Sequence, residues 1–486
     1  MNEEKLIQYW SVWSGGIRCH QTRGTYSAGE LRDITNAYML QLKHIGVQPG
    51  DTIGLVLANT VAFTICLLAC LQLKANPLLL HASTTEDEVL RLQNSIQIKW
   101  LLFNRLSSNR ITDKFANQVI TLSIQDLEVF CCALEAGIAT PTPEQGVILH
   151  LTSGTYGLPL LCIRNQEVAI AEAINYVSAI SPYNRIRIRV TTPLNHAFAY
   201  GFGLMSTIIT NSVIILDPEF NPKRILKEET KETSDILCVV PPMLKSLIHL
   251  KRNNSQYTLP PIVFFAGMGC SPSLADEFER AFGSHLYAIL GTTETGSIAS
   301  SYNHGVKGAG VGKVLPNVKV ELRNQNQYND IDGNIGELYI QSTAMMQRYV
   351  DDPVDRNIEF FPTGDLAFFD NNENLHLVGR IRDIINVGGI KVDPAEVEYI
   401  LLKHPAIQDA AVYSGVSQDN QEIVLAAIVT NQTLSEMDVL SYCHMHTSHY
   451  KVPVQLYFLE SIPRTASGKC LRLQLPGYHQ NKMIFM

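Results

Sequence analysis

Short apolar runs alternate with helix-length stretches along most of this chain, and that rhythm limits the folds open to it more than any other feature. Residues 213–216, 236–240, 262–266 and 286–290 each read as a buried strand bounded by Gly, Pro, Asp or Asn. Strands spaced by helical stretches predict parallel sheets covered by helices, with ligands received at the carboxyl ends of the strands. From 333 to 377 the texture changes to short alternating strands and turns, the pattern of a small antiparallel or barrel-like unit. After 379–383 come a helix from near Pro394, strands at 410–413 and 423–429, another helix, and a strand at 454–458. The expected fold class is therefore α/β in two parts. A large N-terminal domain (1–380) carries parallel βαβ sheets plus a small barrel-like subdomain, and a small α+β C-terminal domain (381–486) follows.

Composition narrows the function classes. With 46% hydrophobic and 17% charged residues, the chain has the make-up of a soluble globular protein, and its 486 residues outgrow a single core. A net charge of −8 argues against a nucleic-acid partner, because neutralising phosphates takes a basic face. The ten cysteines are scattered without a C-x-x-C pair, the usage of a reducing cytoplasm rather than of a disulfide scaffold. The N-terminus is polar and lacks a signal-peptide pattern. Residues 53–73 hold no charge and approach the length of a bilayer span. A buried strand at 53–57, a turn, and a buried helix at 61–73 account for them better, so no membrane span is expected.

Four segments carry candidate chemistry. Thr152-Ser153-Gly154-Thr155-Tyr156-Gly157-Leu158-Pro159 follows a strand-like run and gathers hydroxyls and glycines in one turn. Such a turn presents backbone N–H groups and hydroxyls to phosphate oxygens, although Ser/Thr/Gly runs also make ordinary surface turns. Gly291-Thr292-Thr293-Glu294 offers hydroxyls and one carboxylate, suited either to phosphate with a hard cation or to a plain polar turn. Pro362-Thr363-Gly364-Asp365 sets an aspartate just past a tight turn, where a carboxylate can accept the hydroxyls of a ribose. Pro463-Arg464-Thr465-Ala466-Ser467-Gly468-Lys469 ends in a lysine whose long stem suits it to charge developing on a carboxylate or phosphate; a solvated surface lysine is the alternative.

Taken in order, these segments resemble those of the adenylate-forming superfamily: acyl- and aryl-CoA synthetases, stand-alone adenylation domains and luciferase-like enzymes. The resemblance runs from Tyr26–Leu31 and Gly46–Asp51 through TSGTYGLP, Pro193-Leu194-Asn195-His196, GTTE and PTGD to the stretch from Gly379 to Glu398 and PRTASGK. It implies ATP-dependent activation of a small-molecule carboxylic acid to an acyl-adenylate, then transfer to a pantetheine thiol. By motif, Thr152, Ser153, Gly154, Thr155 and Gly157 would hold the β- and γ-phosphates, with Gly291 and Thr292 in the second nucleotide turn. Thr293 would contact the α-phosphate, Glu294 the Mg²⁺, and Asp365 the ribose with Arg380 nearby. Lys469 would bridge the attacking carboxylate and the α-phosphate. Arg382 would be the hinge about which the C-terminal domain rotates, and Gly389 would line the pantetheine tunnel.

The same resemblance places the acid. His196 would gate its pocket, with Ala197, Phe198, Gly201, Ala266, Gly267 and Ile289 as lining. Ala197 stands where amino-acid-activating relatives carry an aspartate for the substrate ammonium. An unpaired buried ammonium is costly, so an aromatic or aliphatic acid is expected and an α-amino acid is not. The thiol acceptor is coenzyme A or the phosphopantetheine of an acyl or peptidyl carrier protein, and the enzyme is expected to be a monomer or homodimer. Three positions depart from the family pattern: Tyr156 for threonine, Leu160 for the phosphate-loop lysine, and Leu290 for the adenine-stacking tyrosine. Arg164 and Lys313 are the cations considered as substitutes for that lysine. The missing lysine also motivates a reading from another class, a catalytically impaired nucleotide- or acyl-binding relative with a regulatory or scaffold role. Cys443 to His449 imitates a metal cluster, but the resemblance makes it the helix before Tyr450-Lys451-Val452-Pro453.

Overall fold

The structure, a computed structural model, describes residues 5–20, 24–105, 119–125, 127–135, 142, 144–152, 160–180, 184–267, 270, 272–302, 310–323, 335–352, 358–380, 385–392, 394–417, 419, 421–463 and 475. The chain divides into two compact units. Met1–Ala82, Gln93–Leu151 and Leu161–Ile381 form the first; Ser83–Leu92, Thr152–Leu160 and Arg382–Met486 form the second.

The first unit holds three sheets. In the nine-stranded sheet the central strands Val213–Leu216, Arg187–Val190, Ile236–Val239, Ile262–Phe265 and His285–Thr292 run parallel. Its flanks are antiparallel, where His285–Thr292 turns back into Gly296–Ser300 and Gly16–Cys19 pairs with Gly24–Ser27. In the eight-stranded sheet Thr52–Val56 lies between Asn76–Leu80 and Ile98–Phe103, all parallel. Its two ends are antiparallel, with Leu127–Ala133 and Val119–Ile124 at one and Arg348–Tyr349 on Leu160–Arg164 at the other. Both sheets thus carry the expected parallel strands at their centres, with antiparallel strands added at their flanks. Antiparallel neighbours need a turn of only a few residues, whereas each parallel step needs a helical crossover.

The third sheet is the barrel-like subdomain, four antiparallel strands Val318–Arg323, Gly336–Ser342, Phe361–Phe369 and Leu375–Arg380. It begins at Val318, earlier than the residue 333 expected from texture. Val318–Arg323 alternates hydrophobic and charged residues, so its strand character lies in its period of two.

The apolar stretch that matched a bilayer span in length is a buried strand, Thr52–Val56, and a twelve-residue helix, Val61–Gln72, buried on every side but at its last residue. No helix among the described residues is long and apolar enough to cross a membrane. One buried cluster joins this helix to side chains of both large sheets, among them Leu55, Leu79 and Leu102 of the eight-stranded sheet and Phe264, Ile289 and Ile298 of the nine-stranded one. In the second unit, helices Pro394–Leu402 and Glu436–His446 accompany a sheet of Ile407–Val416, Glu422–Thr430 and Gln455–Phe458. Val397, Leu401, Val412, Ala426, Val439 and Cys443 share its core.

Candidate active site

The turn that joins His285–Thr292 to Gly296–Ser300 carries Thr293 and Glu294. It follows a register shift at Leu290/Gly291, where a side chain on Gly291 would place its Cβ 2.9 Å from the Gly296 carbonyl oxygen. Gly296 adopts φ +69°, in the left-handed region that favours glycine. The Thr292 hydroxyl lies 3.0 Å from that of Thr295 and accepts its N–H at 3.1 Å, so it braces the turn from inside. Thr293 and Glu294 are only half-buried. Glu294 is fixed at two points. Its carbonyl accepts the Met346 N–H at 2.7 Å, and its Oε1 accepts the Tyr349 hydroxyl at 3.2 Å. Tyr349 belongs to the edge strand of the other large sheet, a connection that no local pattern in the sequence signals.

Asp365 lies within strand Phe361–Phe369 rather than beyond a turn, because Gly364 bends that strand at φ +76°. The Asp365 N–H donates to the Thr363 hydroxyl at 3.1 Å, which itself donates to the Leu338 carbonyl at 3.0 Å. Asp365 is buried, and the backbone of Arg380 stands directly across from it in the next strand.

The His196 segment is clamped by Asn59, whose amide donates to the Thr192 carbonyl at 2.6 Å and accepts the Leu194 N–H at 2.7 Å. The following residues, Ala199–Met205, form a π-helix, an arrangement that recurs at functional sites. Phe198 stacks on Phe202 at 5.5 Å, and Phe202 meets Phe264 at 4.9 Å. Ala266 and Ile289 lie in the same buried cluster, with Phe198 packed against it. Gly267 sits at φ +86° just beyond strand Ile262–Phe265, and Ala197 is half-buried beside His196. Burial lowers the His196 pKa to about 4, so the imidazole is neutral at pH 7, and its Nε2 has no hydrogen-bond partner among the described residues.

Gly201 differs from the other lining residues. A Cβ there would come 2.6 Å from the Glu172 carboxyl carbon. Glu172 accepts a hydrogen bond from Arg164 Nη2 at 2.6 Å, and both side chains are 1% exposed. No contiguous motif in the sequence marks this pair as a unit. Its signal in the sequence is a lone arginine closing the apolar strand Leu160–Arg164 and a glutamate flanked by alanines in the middle of the helix Gln166–Ala179. Arg164 is thus engaged with Glu172 rather than free to replace the missing lysine. Lys313 donates to the Asn372 carbonyl and lies 3.6 Å from Glu373.

In the second unit, Gly388 and Gly389 form the two-residue turn between Ile385–Val387 and Ile390–Val392, with φ +58° and +92°. Two positive φ values are what a type I′ hairpin requires. The Gly389 N–H is also held by Asn386 Oδ1 at 3.0 Å. Thr152 ends its strand with a buried hydroxyl that has no partner among the described residues. Ser153, Gly154, Thr155, Gly157, Arg382 and Lys469 lie outside the described residues, as does the side chain of Arg380. In the metal-like segment, Cys443 is buried in the apolar core and its thiol is pushed up to about 12. His446 Nδ1 lies 2.7 Å from the Asp87 carboxylate. No cluster of three metal-capable side chains occurs among the described residues.

Comparison with known proteins gives this arrangement a context. Residues 12–350 match the AMP-binding enzyme family, and residues 396–469 match the AMP-binding enzyme C-terminal domain. The chain is 26% identical over 466 residues to the oxalate–CoA ligase of Arabidopsis thaliana, covering 88% of each protein. It is 24% identical over 472 residues to 4-coumarate–CoA ligase 4 of the same plant, covering 89% of this chain and 83% of that one. Among solved structures, o-succinylbenzoate CoA synthetase from Bacillus subtilis superposes with a TM-score of 0.80 at 22% identity, covering 97% of this chain and 98% of the other. The amide bond synthetase McbA from Marinactinospora thermotolerans gives a TM-score of 0.79 at 23% identity, covering 97% and 99%. The chain belongs to the AMP-binding enzyme family.

Proposed function

We propose that this enzyme activates a carboxylic acid with ATP to an acyl-adenylate and passes the acyl group to the thiol of coenzyme A. The observation that carries the reading is the turn holding Thr293 and Glu294, with Glu294 fixed by Met346 and Tyr349. One well-oriented carboxylate fits Mg²⁺, which takes one or two protein carboxylates and completes its shell with water and phosphate oxygens. Bound there, Mg²⁺ would neutralise phosphate charge. Thr293 is assigned to the α-phosphate and Asp365, with Arg380 opposite, to the ribose. Thr152, Ser153, Gly154, Thr155 and Gly157 take the β- and γ-phosphates.

Lys469 is assigned to the transition state, where an ammonium between the attacking carboxylate oxygen and the α-phosphate stabilises the charge that develops on both. The assignments of Arg382 as hinge and Gly389 as tunnel residue, and the division at 380/381, belong to the thiol-transfer half of the same proposal. A neutral His196 shields the reacting carboxyl from water without adding a charge that would bind the ground state. Relatives named for oxalate and for 4-coumarate act on acids of very different size, so the acid here is left to experiment. Ala197 in place of a carboxylate disfavours α-amino acids. The nine cysteines among the described residues are all buried free thiols, which supports a reducing, cytoplasmic setting.

ATP–pyrophosphate exchange across aryl, short-chain and medium-chain acids tests the first half-reaction, and product analysis with coenzyme A against a phosphopantetheinylated carrier protein tests the second. Lys469→Ala is expected to lower exchange by 10²-fold or more, the order typical of one electrostatic catalytic group, while ATP still binds. Exchange unchanged in that variant refutes the lysine's role. A wild-type enzyme silent with every acid favours the non-catalytic reading that Leu160 motivates.

A further inference from the structure

Behind the acid segment lies a polar cluster that the adenylation chemistry does not use. Arg164 is fully buried, and Glu172 occupies one of its guanidinium nitrogens. Arg164 Nε and Nη1 have no partner among the described residues, nor has the Tyr200 hydroxyl or either ring nitrogen of His150. These groups lie together. The His150 and Tyr200 rings meet edge to face at 5.0 Å, and Arg164 acts electrostatically on both. His150 also feels His196, the residue assigned to the acid, and Tyr200 and Gly201 belong to the π-helix that follows it. A buried donor without an acceptor is costly, so several at one place call for something that accepts.

The donors select what that is. Guanidinium and phenol offer N–H and O–H, and a neutral imidazole adds one N–H from each ring. A carboxylate is all acceptor and forms its strongest hydrogen bonds with a guanidinium. An amide or ammonium would bring donors into a place already rich in them.

We propose that Arg164, with Tyr200 and His150, binds a second carboxylate of the acid, so that the preferred substrate is a dicarboxylic acid activated at its other end. This rests on the acid-activating reading above and names the substrate class of that site. Glu172 holds Arg164 in place from the opposite side, and Gly201 admits Glu172 by lacking a side chain.

The test is ATP–pyrophosphate exchange with matched pairs: malonate against propionate, succinate against butyrate, glutarate against valerate, and phthalate against benzoate. The full-length wild-type enzyme is expected to favour the diacid of at least one pair by tenfold or more in kcat/KM. Arg164→Met should reduce that ratio roughly tenfold to hundredfold, the span of one charge-assisted hydrogen bond, and Arg164→Lys should restore part of it. A wild-type enzyme that exchanges monoacids as well as or better than every diacid overturns the proposal while leaving acid activation intact; the cluster would then hold water. An unchanged ratio in Arg164→Met overturns it equally. Should Arg164→Met fail to fold by circular dichroism, the wild-type ratios and Arg164→Lys decide. Silence with all acids refutes acid activation itself, and this inference with it.

Discussion

At the scale of single residues, the carboxylate at Glu294 shows how a motif depends on something outside it. GTTE is visible in the sequence as a turn with hydroxyls and one acid, but the groups that orient the acid come from 346 and 349. Tyr349 is a positioning residue, because its hydroxyl meets Glu294 Oε1 rather than a reacting atom. Tyr349→Phe removes that hydrogen bond. It is expected to lower exchange about tenfold, with a raised Mg²⁺ concentration for half-maximal rate and an unchanged melting temperature, a hydrogen bond to a charged group being worth about 1.5–3 kcal/mol. A Mg²⁺ titration curve identical to wild type would remove Tyr349 from the site. The candidates legible in the sequence were those in contiguous motifs, such as Thr293, Glu294 and Asp365. Tyr349 was not, since its partner lies 55 positions away. In the sequence Arg164 is only a stray cation, because its burial and pairing with Glu172 depend on how a strand and a helix meet.

At the scale of elements, strands were easier to read than their directions. Val213–Leu216, Ile236–Val239 and Ile262–Phe265 were marked by apolar runs between turn residues, and the buried helix Val61–Gln72 by its uniform apolarity. Whether a strand runs parallel or antiparallel is decided by long-range pairing, which is why the antiparallel flanks of both large sheets leave no local mark in the sequence. The π-helix Ala199–Met205 was equally hidden, because its register is set by what packs beneath it. Gly201 supplies the close approach, with Glu172 in the space a side chain would take. Gly203 does the same against Val190, whose Cγ2 would lie 2.7 Å from an added Cβ. Gly201→Ala forces either this helix or the Arg164–Glu172 pair to shift. Overpacking of this kind typically costs about 1–3 kcal/mol. The expected result is a fall in melting temperature of several degrees, together with reduced exchange, whereas Gly29→Ala, with open space around its Cβ, should leave the melting temperature nearly unchanged. Equal melting temperatures for the two variants would show that the π-helix tolerates the methyl.

At the scale of the whole molecule, the sequence separates two regions by texture but does not reveal that Ser83–Leu92 groups with the C-terminal residues. That grouping has an electrostatic basis within the second unit. Lys451 donates to Glu88 at 3.0 Å and to Glu396 at 2.9 Å, and Glu88 also accepts the Ser448 hydroxyl at 2.8 Å and the Thr85 N–H at 2.9 Å. Burial alone would raise the Glu88 pKa, but Lys451 and these hydrogen bonds bring it down to about 2. The folded value therefore lies below the unfolded one of 4.5, so Glu88 stabilises the unit fully above about pH 4.5 and loses that contribution as pH falls toward 2. A shift of this size corresponds to roughly 3 kcal/mol. Removing one partner of a buried pair costs a similar amount, about 3–5 kcal/mol, because the charge left behind is uncompensated. In the full-length protein, hydrogen exchange of helix Glu436–His446 should accelerate as pH is lowered from 4.5 to 2 beyond the intrinsic pH dependence of exchange. Glu88→Gln should exchange faster at neutral pH and show a flatter acid response, since its side chain no longer titrates. If protection of that helix has the same pH slope in both proteins, Glu88 is not the group that ties Ser83–Leu92 to the C-terminal residues, and the grouping must rest on apolar contacts instead.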